Sequence, residues 1–266
     1  LLSACGSHSE LPPFTASGYV GDQGAVRIWR KDSGDDVHLL SVFSPWRKGE
    51  TTTSEYRWQG DSLSLIELNV YSKPAEHVRI RFDDRGELSF MQREVDGQKQ
   101  QLSNDQIDLY RYRAAQIREI SDALRQGRVV LRQGRWHAME QTVTTCEGQT
   151  IKPDLDSQAI AHIERRQSRS SVDVSVAWLE APEGSQLLLV AHEDFCHWQP
   201  TAKTFSKPEY RKSAGLIRIA SSGIKSFTSD PFPYGRRCDG YRHRRIRRSP
   251  FPLREVRLPG PLRHRV

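Results

Sequence analysis

Histidine and cysteine side chains, the usual ligands of zinc in proteins, gather in the second half of the sequence. The candidates are His137, Cys146, His192, Cys196 and His197. Their spacing matches no established zinc framework, and the chain contains no C-x-x-C pair. Segment 192–197 begins like the zinc-protease motif H-E-x-x-H, but three residues instead of two separate Glu193 from the second histidine. On a helix the two histidines would point to different faces, so we predict neither a metal site nor a cofactor.

The first residues indicate a different chemistry. The segment Leu2-Ser3-Ala4-Cys5 resembles the lipobox of bacterial lipoproteins at all four positions, and its small residues suit a signal-peptide cleavage site. Because the chain starts at Leu1 and not at Met, we expect an upstream segment. In lipoproteins this cysteine carries acyl chains, so the resemblance implies lipid attachment at Cys5. Each buried CH₂ of an acyl chain adds about 0.8 kcal/mol of membrane affinity. Gly6 stands where aspartate retains enteric lipoproteins in the inner membrane, which implies the periplasmic face of the outer membrane of a Gram-negative bacterium.

Two of the four cysteines are left to form a disulfide. Cys5 belongs to the lipobox-like segment, and Cys238 lies in the basic C-terminal segment. Cysteines in an oxidising periplasm most often pair, so we predict a disulfide between Cys146 and Cys196, both near the ends of predicted strands. A bond closing a loop of about 50 residues would stabilise the fold by about 4 kcal/mol in the chain-entropy model.

Motifs of catalysis and nucleotide binding are missing from the sequence, which has no G-x-S-x-G, P-loop or G-x-G-x-x-G pattern. Its acidic pairs lie in turn-like segments, where solvated turn residues explain them better than acid–base catalysis. Aromatic residues are frequent in the N-terminal part, and core packing is their simplest interpretation. If a barrel there is open at one end, a subset would line a ligand pocket. The predicted pocket residues are Trp29, Tyr56, Trp58 and Tyr71.

The elements that must position these residues are mainly β-strands. Between Phe14 and Leu102, turn-forming clusters rich in Gly, Asp, Ser and Pro recur about every ten to thirteen residues. Several of the intervening runs alternate apolar with polar residues, as a strand with one solvated face does. We therefore predict about eight strands joined in sequence over residues 14–102. Such an antiparallel meander is able to close into an up-and-down barrel.

Residues 103–127 change to a helical period. Ser103 and Gln106 form a capping-box pattern, apolar residues follow at spacings of three and four, and Gly127 suits the position after the helix. This predicts one connecting amphipathic helix. From Arg128 onward five further strands are expected, one of them at residues 159–165. Five strands over residues 128–205 favour a small β-barrel-like domain of the oligosaccharide/oligonucleotide-binding type, in a fold that is mainly β.

The positive charge of the chain is confined to its end. The 266 residues carry a net charge of +7, but residues 1–205 hold 24 basic and 29 acidic side chains. Residues 206–266 hold 16 basic and 4 acidic side chains, so we expect a disordered basic tail there. It is either a functional tail or a non-native extension, since the eleven arginines of residues 236–266 come without a single lysine. No run of 18 apolar residues exists, so a transmembrane helix is excluded from this sequence.

Three stretches resemble the YjaH-like lipoproteins of enteric bacteria, a family classed as a domain of unknown function. They are A-S-G-Y-V-G-D-Q-G-A-V-R-I-W-R-K-D from Ala16, S-F-M-Q-R-E-V from Ser89 and R-V-V-L-R-Q-G-R-W-H from Arg128. The resemblance extends from about residue 5 to residue 205. It implies a lipoprotein, but it brings no activity, ligand or catalytic residue.

Together these observations predict a lipid-anchored envelope protein that is not an enzyme but a binding or sensing module. Its expected partners are membrane lipid, through acylated Cys5, and an unidentified protein or small molecule. A periplasmic hydrolase acting on envelope material is the alternative. Nucleic-acid binding through the Arg-rich tail is not expected, because it conflicts with the export signal and the acidic body. The predicted segments are 1–13 (lipobox and linker), 14–102 (meander or barrel), 103–127 (helix), 128–205 (small β domain) and 206–266 (tail).

Overall fold

A computed structural model describes residues 11–47, 49, 51–71, 74–203 and 205 of the chain. The described part is mainly β, as predicted, with two antiparallel sheets of eight and five strands and two α-helices. The lipobox-like segment with Cys5 and the basic segment 206–266 lie outside the described residues.

The first sheet is the predicted antiparallel meander, in which each strand pairs with the next one along the chain. Its strands are β1 (Phe14–Val20), β2 (Gly24–Ser33), β3 (Asp36–Pro45), β4 (Thr52–Gln59), β5 (Ser62–Val70), β6 (Glu76–Phe82), β7 (Leu88–Val95) and β8 (Gln98–Gln100). The sequence left open whether this meander closes into a barrel, and it does not, because β1 and β8 are the two edges of an open sheet. A barrel requires its edge strands to pair along their length, and β8 has only three residues, all of them exposed.

Helix α1 (Asn104–Gln126) starts at the predicted capping box. The backbone N–H of Gln106 donates to Ser103 Oγ at 3.3 Å, and the backbone N–H of Ser103 donates to Gln106 Oε1 at 2.9 Å. At the other end Gly127 keeps a right-handed conformation, and Arg128 takes the left-handed one with φ of 53°. The buried side of α1, which includes Ile107 and Ala114, packs on one face of the eight-stranded sheet.

The second sheet also stays open, so the prediction of a small barrel is wrong. Its order is β11-β10-β9-β12-β13, with β9 (Val130–His137), β10 (Thr142–Thr145), β11 (Thr150–Ile151), β12 (Ser175–Ala181) and β13 (Gly184–Ala191). The strand expected at residues 159–165 is instead part of helix α2 (Ser157–Gln167). Asp156 caps this helix by accepting the backbone N–H of Ala159 at 2.7 Å, and Ile160 and Ile163 pack three residues apart.

The elements stack in four layers, α1, the eight-stranded sheet, the five-stranded sheet and α2, because alternate residues of each strand serve opposite faces. Between the sheets lies a core to which β2 contributes Trp29 and β12 contributes Leu179. A short 3₁₀ helix, η1 (Phe195–Trp198), buries its first and last side chains in the same core. Among the described residues no helix is both long and apolar enough to cross a membrane.

Candidate functional site

The structure joins Cys146 and Cys196, the predicted pair, in a disulfide with an S–S distance of 2.05 Å. The bond links the end of β10 to η1. The other candidate zinc ligands have different neighbours. His137, for example, lies 2.7 Å from Thr144 Oγ1. Throughout the described ranges, no group of three or more His, Cys, Asp or Glu residues is arranged to hold a metal ion.

The structure separates the four aromatic residues that the sequence suggested for a pocket. Tyr56 and Trp58 stack with ring centroids 5.8 Å apart and are buried in the core under α1. Trp29 lies on the opposite face of the same sheet, buried between the two sheets. Tyr71 packs at the margin of that second core, with its ring 5.1 Å from Trp198. The four residues therefore do not share one pocket, since neighbouring strand residues alternate between two faces of the sheet. Of the four, Trp58 lines a separate depression of about 300 Å³ that α1 also lines, through Arg111 and Ala115.

Titratable side chains also form a row across β4, β5 and β6. Glu55 and Glu67 face each other on neighbouring strands, and both carboxylates are buried. Arg57 donates to Glu55 at 3.1 Å, and Arg79 donates to Glu67 at 2.8 Å. Burial and the nearby Arg79 guanidinium lower the pKa of His77, whose Nε2 lies 3.3 Å from Glu67. Because each buried carboxylate has a guanidinium beside it, we interpret this row as structural ion pairs that keep the buried charges compensated.

A groove of about 570 Å³ lies beside β13. We call it the β13 groove. Five consecutive residues of the strand, 187–191, form its floor. One wall comes from the end of β3 and the loop that follows it, through Ser44, Pro45, Trp46, Gly49 and Thr51. The other wall comes from α2 and the residues just after it, and Glu193 lies in the lining as well.

The α2 wall is basic. Its lining side chains are His162, Arg165, Arg166 and Arg169, and all four are exposed. Spacings of three and four bring them to one side of the helix. Within the described residues none of the four forms an ion pair. Three unmatched guanidinium groups in one wall attract an anion, and their planar forks suit carboxylate or phosphate oxygens.

The opposite wall is apolar, and hydrogen bonds hold its residues in place. Trp46 is 43% exposed, and its indole Nε1 donates to the backbone carbonyl of Gly21 at 3.1 Å, which fixes the ring at the groove. The Thr51 hydroxyl donates to the Glu193 carboxylate at 3.3 Å, and the Trp198 indole N–H donates to the same carboxylate. Glu193 therefore ties the β3–β4 loop to η1. The groove combines one basic wall, one apolar wall and a preformed shape, as ligand sites commonly do.

Sequence reasoning missed this site. Its residues come from three distant segments, around residues 44–51, 162–169 and 187–193, and no motif connects them. One signal was present, namely the run Leu187-Leu188-Leu189-Val190 without a charge, close in sequence to an arginine-rich stretch.

Comparisons with known proteins identify relatives but no activity. A family model described as "Protein of unknown function (DUF1481)" matches residues 16–201. The chain is similar to "Uncharacterized protein YjaH" of Escherichia coli (strain K12), with 84% identity over 205 residues, which cover 77% of this chain and 89% of the relative. No solved structure matches the chain.

Proposed function

The chain belongs to the family described as Protein of unknown function (DUF1481), and we propose that it is a lipid-anchored binding protein of the bacterial envelope. Its ligand site is the β13 groove, and its ligand is anionic and carries apolar groups. One observation carries this proposal: three arginines without an ion-pair partner line one wall of the groove, and the exposed Trp46 lines the opposite wall. The first attracts negative charge, and the second offers apolar surface.

The hydrogen bonds of the two hydroxyl groups in the groove support binding without catalysis. The hydroxyl of Ser44 accepts a hydrogen bond from the buried guanidinium of Arg27 at 3.1 Å, and the hydroxyl of Thr51 donates to Glu193. Ser44 has a guanidinium and not a base beside it, and the Glu193 carboxylate that faces Thr51 also accepts the Trp198 indole N–H, so both hydroxyls hold the walls together. We therefore assign these groups to the shape of the site.

The envelope location rests on the lipobox-like residues Leu2 to Cys5, together with the Cys146–Cys196 disulfide, since such bonds persist in oxidising compartments. In this proposal acylated Cys5 holds the protein on the periplasmic face of the outer membrane. Expressed in its host, the parent chain should fractionate with the outer membrane, and Cys5→Ser should not. The intact mass of the membrane-bound chain should show acyl groups on Cys5. An unmodified Cys5 in a chain that stays in the cytosol would contradict the location.

A photo-crosslinking experiment in living cells tests the groove without assuming a ligand. A benzophenone amino acid at Trp46 should form an adduct under ultraviolet light. The same amino acid at Tyr112, 51% exposed on α1 and outside the groove lining, is the control position. The triple substitution Arg165→Gln, Arg166→Gln, Arg169→Gln should reduce the Trp46 adduct by about tenfold, since three exposed ion pairs together contribute on the order of 1 kcal/mol or more.

A charge-matched control completes this design. Arg85→Gln, Lys99→Gln, Arg128→Gln removes the same charge from exposed positions outside the groove and should leave the adduct unchanged. Equal adduct yields from the two triple variants would refute an arginine-dependent site. So would an adduct at Tyr112 as strong as the one at Trp46.

A further inference from the structure

The floor of the β13 groove is the free edge of a sheet. β13 pairs with β12 on one side, and no described strand pairs with its other side. Its eight residues, Gly184–Ala191, contain no charge and no proline, although long edge strands usually carry such residues to prevent unwanted pairing. The other edge of this sheet, β11, has only two residues. In the eight-stranded sheet, the edge strand β8 has three residues and carries Lys99, whereas the other edge strand, β1, is also free of charge and proline but lines no part of the groove.

The backbone of β13 faces the groove. Successive side chains of a strand point to opposite faces, so five consecutive residues can line one groove together only where the strand presents its edge. Leu187 and Val190 pack toward α2, whereas Leu188 and Leu189 pack between the sheets, because a β-bulge opposite Ala177 and Trp178 interrupts the alternation at Leu188. Among the described residues, no hydrogen bond joins residues 187–191 to any element other than β12.

We propose that the ligand of the β13 groove is an extended peptide segment of a protein partner, which adds to β13 as a sixth strand and alternates acidic with apolar side chains. This inference rests on the proposed function and specifies its ligand. Main-chain hydrogen bonds to a sheet edge supply affinity, and pockets for alternate side chains supply specificity. Residues 187–191 offer about 16 Å of edge, room for about five peptide residues.

Charge selects the side chains of this peptide. The faces of an added strand would meet the two walls of the groove. The face toward α2 meets Arg165, Arg166 and Arg169, which favour aspartate or glutamate at every second position. The face toward the β3–β4 loop meets Trp46 and Pro45, which favour apolar residues at the positions between.

A second copy of the same chain is a poorer occupant of this edge. Two β13 strands pairing antiparallel about a twofold axis would bring both α2 helices to the same face of the joint sheet. The arginines of one copy would then lie beside those of the other, and like charges at an interface oppose association. An acidic peptide instead neutralises the basic wall.

The test uses the full chain and a capped synthetic peptide of about eight residues that alternates glutamate with valine. Binding is measured by calorimetry, and amide hydrogen exchange is followed along β13. We expect saturable binding, with exchange in residues 187–191 slowed by about tenfold or more. A peptide with the same composition in two blocks should bind at least about tenfold more weakly. The alternating peptide with every backbone nitrogen methylated should not bind, because it has no N–H to donate.

The chain variants give a second readout. The triple substitution of Arg165, Arg166 and Arg169 by Gln should weaken peptide binding by about tenfold, and the control triple at Arg85, Lys99 and Arg128 should not. Weaker binding at high salt should accompany this result.

Other outcomes overturn the inference in distinguishable ways. If the methylated peptide binds as well as the parent peptide, or β13 amides gain no protection, no strand is added. Binding through side chains alone would then remain, and the proposed function stands. If no peptide binds but the Trp46 crosslink carries a lipid, the ligand class is wrong and the proposed function again stands. A concentration-dependent dimer with protected β13 amides assigns the edge to self-association. If neither peptide binding nor the crosslink is found, both proposals fail.

Discussion

Removing the Cys146–Cys196 disulfide should destabilise the fold by about 3 to 4 kcal/mol. The two cysteines are 50 residues apart in sequence, and the chain-entropy relation gives about 4 kcal/mol for a loop of that length. The bond acts mainly on the unfolded chain, whose freedom it restricts. For a chain of this size the corresponding fall in melting temperature is roughly 6 to 15 °C.

The folded state should survive this change, because η1 has other anchors. Phe195 is fully buried in the core between the sheets, and its backbone carbonyl accepts a hydrogen bond from the Gln133 side chain at 3.1 Å. At the other end of the bond, the backbone N–H of Cys146 donates to the carbonyl of Gln133 at 3.2 Å. Both ends of the disulfide therefore stay attached to β9 when the bond is absent.

The assay is urea unfolding followed by tryptophan fluorescence. Cys146→Ala, Cys196→Ala is compared with the parent, both carrying Ser at positions 5 and 238 so that no other thiol interferes. The control is the parent in reductant, which keeps both cysteines and lacks only the bond. The reduced parent and the double variant should have similar free energies of unfolding, both well below that of the oxidised parent.

One result would refute this reasoning. If the oxidised parent and the double variant agree within about 0.5 kcal/mol, the cross-link does not restrict the unfolded chain as the entropy model requires. Free thiols titrated in the unreduced, unfolded parent would show instead that Cys146 and Cys196 are not bonded.

Four further substitutions test the packing and the pH dependence of stability. Gly134→Ala should destabilise the fold by about 2 kcal/mol in urea unfolding, because the new Cβ would lie 2.1 Å from the backbone oxygen of Thr144. Gly148→Ala should cost about 1 kcal/mol in the same assay, because its φ of 84° favours glycine although the space around it is open. Arg30→Met should cost about 2 kcal/mol in the same assay, since the buried guanidinium joins a carboxylate of β2 at 2.7 Å to one of α1 at 2.5 Å. Burial, with a smaller contribution from a neighbouring tyrosine, raises the pKa of Tyr19 to about 12. The stability linked to its neutral phenol is complete below about pH 10 and is lost as the pH rises through 12, so Tyr19→Phe should flatten the alkaline end of the stability profile.

The parts of the fold that follow from local signals were predictable. Each hairpin of the eight-stranded sheet is set by its own turn, such as those at Gly34 and Gly60, whose φ values of 60° and 58° suit glycine. Helix α1 is set by the reciprocal hydrogen bonds of Ser103 and Gln106. These interactions join residues that are close in sequence, so a short stretch of sequence is enough to predict them.

The closure and stacking of the sheets depend on distant residues and could not be predicted in this way. At Gly18 of β1, an added Cβ would lie 3.1 Å from a methyl carbon of Leu188 and 3.4 Å from one of Leu179. The second sheet therefore packs directly on β1, and the meander stays open. Nothing near Gly18 in the sequence indicates which strands will approach it.

The candidate site was missed because of one wrong element. On a strand at residues 159–165, successive side chains would alternate between two faces, and the basic residues of this region would be dispersed. On helix α2 and the turn after it, His162, Arg165, Arg166 and Arg169 share one side of the wall beside β13. The same correction explains why β13 keeps an uncharged edge. If the basic wall and the apolar loop select the partner strand, β13 itself needs no charges to exclude other strands.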